Sequence, residues 1–372
     1  MNKQENPAFL QEQIVTYIGN KRALLPHIDA EVQRIREKLG GKKLVCADLF
    51  AGSGVVSRML KQHASVLTVN DLEAYSRILA ECYLCNREDY PAEQVEEALA
   101  RLEAALEQPV EGLVAAHYAP KNDGDIRPGE RAFYTRDNAL RIDTYRAAIE
   151  KEDSAVQPFL LGPLLYAASV HTNTGGVFKG FYKDSKTGIG KFGGNGENAL
   201  SRILGKIVLQ SPVLSEFACE TVIYQQDVNA LAGTLPVQDL VYLDPPYNQH
   251  PYGSNYFMLN VIAENRLSGA LSRVSGIPEG WNRSDYNKGA RALNAMERLV
   301  RDLPARYLLI SYNSEGFITL EEMEALLGKY GKVERREISY PTYRASRNLR
   351  QRNIKVSEYL FVLEKEAEHE PV

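Results

Sequence analysis

The chain has 372 residues, of which 44% are hydrophobic and 25% charged, and a formal net charge of −4. That length buries a full core without disulfide staples and suits one large domain carrying an insertion or a small second domain. The slight acidity excludes indiscriminate binding to polyanions, although it leaves room for a local basic patch.

The first twenty residues lack the apolar stretch of a signal peptide, and no segment reaches the roughly 18 uncharged apolar residues of a membrane span. A soluble, cytoplasmic protein with no membrane partner is expected. The four cysteines (Cys46, Cys82, Cys85, Cys219) are too scattered for a disulfide framework. Cys82-x-x-Cys85 is half a zinc site, but it falls in a helical pattern with no second pair near it, so no metal is expected.

The first strand signal is Lys43–Phe50, and it runs into Asp48-Leu-Phe-Ala-Gly52-Ser-Gly54 where a helix should begin. Two glycines allow a tight turn and a close backbone approach to a ligand. Ser57 replaces the last glycine of a dinucleotide fingerprint, which disfavours a pyrophosphate site. The second strand, Ser65–Asp71, ends on an acid placed to meet a ribose hydroxyl or to cap the following helix. Helical patterns follow over Ala74–Asn86 and Ala92–Gln108.

About 150 residues separate the second strand from the third, far more than one crossover needs. The excess, Pro109–Leu214, reads as a helical and loop-rich insertion (109–214) within a domain made of 1–108 and 215–372. Its centre, His171–Gly194, is rich in Gly, Lys and aromatics, with Lys179, Lys183 and Lys191 suited to a nucleic-acid groove. An ordinary surface loop has the same composition.

Strands resume at Thr221–Asp227, Asp239–Asp244 and Ala305–Asn313, and Val333–Tyr340 with Ser357–Lys365 reads as a hairpin closing one edge. The alternation predicts a doubly wound α/β sheet. Asp244-Pro245-Pro246-Tyr247 is the most specific motif. Two prolines remove amide donors, so the turn offers carbonyl and carboxylate acceptors that can hold an amine. Tyr247 adds a flat face on which an extruded base can stack. The segment Tyr252–Asn260 then reads as a cover, with Asn248, Tyr252 or Tyr256 near that pocket. From Arg335 to Lys355 seven Lys/Arg face one acid, Glu337, and Arg344, Arg347, Arg350 and Arg352 crowd a loop between the last two strands. That is a footprint for phosphates or a solvated basic face.

In this order, Thr16-Tyr17-Ile-Gly-Asn-Lys21-Arg, Asp48–Gly54, Asn70-Asp71 and Asp244–Tyr247 resemble the D12-class adenine-N6 DNA methyltransferases of the Dam-like α group. Weaker likenesses are Phe133-Tyr134, His171–Gly194, Asp227 and Ser311-Tyr-Asn313. The resemblance implies a Rossmann-like methyltransferase sheet with the insertion as target-recognition region, S-adenosylmethionine as cofactor and double-stranded DNA as substrate. A cognate restriction endonuclease is an implied partner. It further implies that Lys21 pairs with the methionine carboxylate and that Tyr17, Phe50, Gly52, Gly54 and Asp48 shape the cofactor pocket. Asp71 would take the ribose and Asp227 the adenine amine, while Asp244, Pro245, Pro246 and Tyr247 are the catalytic set. Tyr17 stands where relatives often carry Trp, and Asn20 for a common Gly. Cytosine-N4 transfer, N-methylation of RNA or of a protein amide, and a non-catalytic DNA-binding role on the same fold compete. Asp244 before Pro-Pro favours adenine.

Overall fold

The computed structural model describes residues 4–17, 19–194, 199–341 and 355–366. Its strands are β1 (Leu44–Asp48), β2 (Ala64–Asn70), β3 (Glu220–Tyr224), β4 (Gln238–Leu243), β5 (Ala305–Asn313), β6 (Gly331–Pro341) and β7 (Lys355–Lys365). They form one sheet in the order β3-β2-β1-β4-β5-β7-β6. The first five are mutually parallel, and β7 runs antiparallel between β5 and β6. The expected closing hairpin is therefore present, with β6 as its outer strand. The parallel strands read as continuous apolar runs because both faces are covered; Cys46, Ala47, Leu240 and Val241 are fully buried.

Before β3 come α1 (Pro7–Gln11), α2 (Leu25–Lys38), α3 (Val55–Leu60), α4 (Ala74–Tyr83), α5 (Ala92–Ala105), α6 (Leu113–His117), α7 (Arg136–Ile149), α8 (Gln157–Val170) and α9 (Leu200–Leu204). After it come α10 (Val228–Leu231), α11 (Tyr252–Asn255), α12 (Phe257–Glu264), α13 (Gly289–Asp302) and α14 (Leu320–Leu327). Local chemistry starts several of them. Thr135 accepts the Asn138 amide at α7, and Thr319 with Glu322 forms a reciprocal capping box at α14.

One sheet face packs Leu49, Val241, Leu243 and Ile310 against α10, α13 and α14. The other packs Cys46, Leu67, Leu240 and Leu309 against α2 and α3. A third apolar cluster is entirely helical and loop-borne. It joins Tyr118, Phe133, Tyr145 and Leu164 of the insertion to Tyr75 and Ile78 of α4, Val95 and Leu102 of α5, and Phe257 and Ile262 of α12. Residues on both sides of the expected insertion boundaries thus share one core. Within it, a Cβ on Gly162 would come 2.6 Å from the Cys82 sulfur, so Cys82 is a packing residue where α4 and α8 touch. Asn173 folds the 171–194 segment back on itself: its amide donates to the carbonyls of Ala132 (2.7 Å) and Lys191 (2.8 Å) and its oxygen accepts the Gly193 amide.

The chain leaves β1 toward β2 and β3, then returns to the opposite side of β1 as β4. The sheet order reverses there. In open α/β sheets the crevice beyond the carboxyl ends at such a point is where ligands bind.

Candidate active site

A cleft enclosing about 890 Å³ of empty space, its mouth included, opens at that reversal. Its size is that of a small-molecule site. Beyond β1 the backbone turns through Gly52 (φ 53°) and Gly54 (φ 76°), the latter capping α3 from the left-handed region. A Cβ on Gly52 would lie 3.2 Å from the Tyr17 ring, so only glycine fits that wall comfortably. The Gly52 amide donates to Asp71 Oδ2 (2.7 Å), and Asp71 Oδ1 accepts the Glu73 amide (3.0 Å). Burial pushes the Asp71 carboxyl up despite these bonds. Asp48 accepts the Ser57 hydroxyl on Oδ2 (2.6 Å). Burial first, then the neighbouring Asp244 and Asp71 charges, push it up to about 7 against the Ser57 bond.

Across the cleft, Asp244 follows β4. The Lys21 ammonium lies 2.9 Å from Asp244 Oδ1 and 2.8 Å from Glu358 Oε1 of β7. Asn313, at the end of β5, donates to the other Glu358 oxygen (3.2 Å). Burial alone would lower the Lys21 pKa, but the two carboxylates outweigh it and raise it well above its ordinary value. Asp244 is pushed up to about 6 by burial, with Lys21 opposing and Glu358 adding to the rise. One cation thus serves two carboxylates, Glu358 buried and Asp244 half-buried.

Aromatic rings form the third wall. Tyr17 stacks on Tyr252 (5.0 Å between centroids, 2° between planes) and on Tyr256 (4.4 Å), and its hydroxyl lies 3.1 Å from that of Tyr75. Tyr252 lines the cleft, whereas Tyr256 is fully buried behind Tyr17.

The sequence that builds this cleft is similar to that of proteins of known class. The family model for the D12 class N6 adenine-specific DNA methyltransferases covers residues 17–325. The chain belongs to that family. It is 31% identical to the type II methyltransferase M.NlaIII of Neisseria lactamica, over 94% of this chain and 99% of that protein. It is 30% identical to the type II methyltransferase M.CviAII of Paramecium bursaria Chlorella virus 1, over 86% and 90% of the two chains. It is 28% identical to the type II methyltransferase M.FokI of Planomicrobium okeanokoites, where it spans 52% of the longer protein. The D12 methyltransferase described here transfers a methyl group to the N6 of adenine in DNA and so requires a methyl donor.

Nine of the twelve residues named from the sequence as catalytic or cofactor-binding converge on the cleft of this D12 methyltransferase. Tyr17, Lys21, Asp48, Phe50, Gly52, Asp71, Asp227, Asp244 and Pro246 line it. Gly54 stands behind the wall as the α3 cap, and Pro245 is buried beneath it. Tyr247 is half-buried, edge-on to Tyr312 at 6.3 Å, with its carbonyl accepting the Phe317 amide. Asp227 caps α10 through Oδ1, which accepts the amides of Asn229 and Ala230. Lys21 is expected to meet a donor carboxylate; in the structure two carboxylates of the chain engage it.

Tyr256 does not reach the pocket, because it packs under Tyr17. In the basic stretch, Arg335 pairs with Glu324 and Arg336 with Glu31 and Glu334, so these two close the sheet edge by ion pairs. Lys179 and Lys183 are exposed and Lys191 half-buried on the insertion loop, away from the cleft lining. Arg344, Arg347, Arg350 and Arg352 lie outside the described residues.

Sequence reasoning missed Glu358, which β7 brings beside Lys21 from the far end of the chain. It also missed Glu73, Asn282, Ser284 and Asn287, all in the cleft wall. Only Glu73 carried a signal, two residues beyond Asp71.

Proposed function

We propose that this D12 methyltransferase uses S-adenosylmethionine to methylate an adenine swung out of double-stranded DNA, as the modification half of a restriction-modification system in the cytoplasm. The observation that carries this reading is a single cleft lined both by the glycine turn with Asp71 and Asp227 and by Asp244 with Pro246. The residues fit the donor. Gly52 leaves the space of a missing Cβ, Asp71 and Asp227 offer acceptors to ribose hydroxyls and an adenine amine, and the Lys21 ammonium in the cleft lining suits a carboxylate.

When bound, the donor supplies a methyl group on a positively charged sulfur. Asp244 accepts an N–H of the target amine, and the prolines at 245 and 246 leave carbonyls there with no competing amide donors. Held that way, the N6 lone pair turns from its ring toward the methyl carbon. Presented so, the nitrogen would take up the methyl group that the donor supplies and shed a proton once cationic. Asp244 offsets the charge that grows on nitrogen, a contribution of about 3 kcal/mol for such acceptors. Lys21 and Glu358 hold the carboxylate in place. Tyr247 gives the extruded base a face. We assign base recognition to the 109–214 insertion, and phosphate contacts to Lys179, Lys183 and Lys191 and to Arg344, Arg347, Arg350 and Arg352. The type II naming of the relatives motivates a cognate endonuclease as partner.

The test is transfer of labelled methyl from S-adenosylmethionine to duplex DNA, followed by nucleoside analysis. N6-methyladenine at one short sequence is expected. Label in cytosine, or none with any DNA, overturns the reading.

A further inference from the structure

Glu73 lines the cleft two residues beyond Asp71, is 4% exposed, and has no task in the mechanism above. Its Oε2 accepts the side-chain amides of Asn260 on α12 and of Asn282 (3.0 Å). Neither amide is free to turn away. Asn260 uses its oxygen to accept the Tyr75 amide (3.2 Å), and the Asn282 nitrogen also donates to the Leu72 carbonyl (3.0 Å). One carboxylate therefore ties together the start of α4, the body of α12 and the strap 279–288. The fit is close: a Cβ on Gly253 would come 2.5 Å from the Asn282 carbonyl oxygen and 3.0 Å from Glu73 Oε1.

The strap has two characters. Asn282, Ser284 and Asn287 face the cleft and are all small hydrogen-bonding side chains, while Tyr286 turns away into the core against Phe50. Its far end is pinned by Asn287, which donates to the Asn248 carbonyl (2.8 Å). Its near end leaves a turn that Tyr118 and Arg131 of the insertion hold by the carbonyls of Gly276 (2.8 Å) and Ser272 (3.1 Å). Burying a carboxylate is costly, and burial together with Asp71 pushes Glu73 up to about 7. An apolar residue at 73 would avoid that cost but would lose the tie.

We propose that Glu73 is a positioning residue that latches the strap 279–288 as the roof of the donor pocket, placing Asn282, Ser284 and Asn287 against the bound methyl donor. The proposal rests on the reading of the cleft as the S-adenosylmethionine site.

The experiment compares wild type, Glu73→Ala, Glu73→Gln and Asn282→Ala by calorimetric titration with S-adenosylmethionine in the absence of DNA, by steady-state kinetics, and by trypsin cleavage at Arg283 and Lys288. Glu73→Ala should weaken donor binding and raise the donor KM about tenfold, with kcat at saturating donor within about threefold of wild type. Asn282→Ala should match it, and the double variant should be no weaker than either, as expected of two ends of one contact. Glu73→Gln can put its amide oxygen where Oε2 stands and accept both N–H groups, so it should stay within about threefold of wild type. Trypsin should cut the strap faster in Glu73→Ala, and the donor should slow it. Unchanged donor affinity in Glu73→Ala, a loss of kcat with donor KM unmoved, or a Glu73→Gln defect as large as that of Ala overturns the latch alone. A wild-type protein that binds no S-adenosylmethionine overturns the latch and the cofactor reading together.

Discussion

Lys21 and Asp244 are joined by an ion pair of 2.9 Å, although 223 positions of chain separate them, and Glu358 competes for the same ammonium at 2.8 Å. The pair bears on the charge of the carboxylate proposed to meet the target amine. Lys21 works against burial and the Glu358 charge, which together hold Asp244 near 6.

This relationship predicts a pH profile. Only the ionised Asp244 is a full acceptor, so kcat/KM for DNA should be present above about 6 and fall as pH drops through that value. Lys21→Met removes the group that lowers the Asp244 pKa, so the acid limb should move to higher pH. A limb that stays in place in a rate–pH series would separate Lys21 from the charge state of Asp244.

Asp244→Ala should lower kcat by about a hundredfold or more, the loss expected for a positioned charge-stabilising acceptor. Affinity for S-adenosylmethionine, measured by calorimetry, should change little. Retention of more than about a tenth of wild-type turnover would remove Asp244 from the proposed role.

Gly52→Ala forces a left-handed φ on a residue with a Cβ, at a cost of roughly 1–2 kcal/mol, and that Cβ must displace the Tyr17 ring. Both the melting temperature and donor affinity should fall. A variant that melts lower yet binds the donor as wild type would mean that the glycine turn shapes the fold and not the pocket.

Asp48 makes stability depend on pH in the donor-free protein. Its folded pKa, about 7, exceeds the usual carboxylate value, so its stabilising contribution is complete below about 4 and is lost as pH rises toward 7. Asp48→Asn should abolish that slope while keeping an acceptor for Ser57. Melting temperatures of the two proteins between about pH 5 and 7.5 should converge at the acid end and separate in favour of the variant at the neutral end. Parallel curves would contradict the burial argument.

The arginines at 344, 347, 350 and 352 give a prediction that rests on composition alone. Replacing Arg347 and Arg350 by Ala should weaken target and non-target duplexes alike and flatten the salt dependence by about two contacts. Loss of discrimination at one base pair with the salt slope intact would move these residues to base readout.

Periodicity and apolar runs determined the strands, because a buried parallel strand writes itself as an uninterrupted apolar stretch. The glycine turn and the Asp-Pro-Pro-Tyr tetrapeptide were legible for a related reason: each packs its whole chemistry into a few consecutive residues. The tertiary structure decided what no local pattern encodes. Glu358 meets Lys21 only because β7 inserts between β5 and β6. Tyr256 is lost to the pocket because Tyr17 stacks over it, and Arg336 of the basic stretch is engaged by Glu31 of α2 across the sheet edge. The strap's Asn282 reaches Glu73 across 209 positions, a contact fixed by how the helical cluster sits against the sheet. Side chains that act at such distances are ordinary polar residues in the sequence, and only burial and partners give them a task.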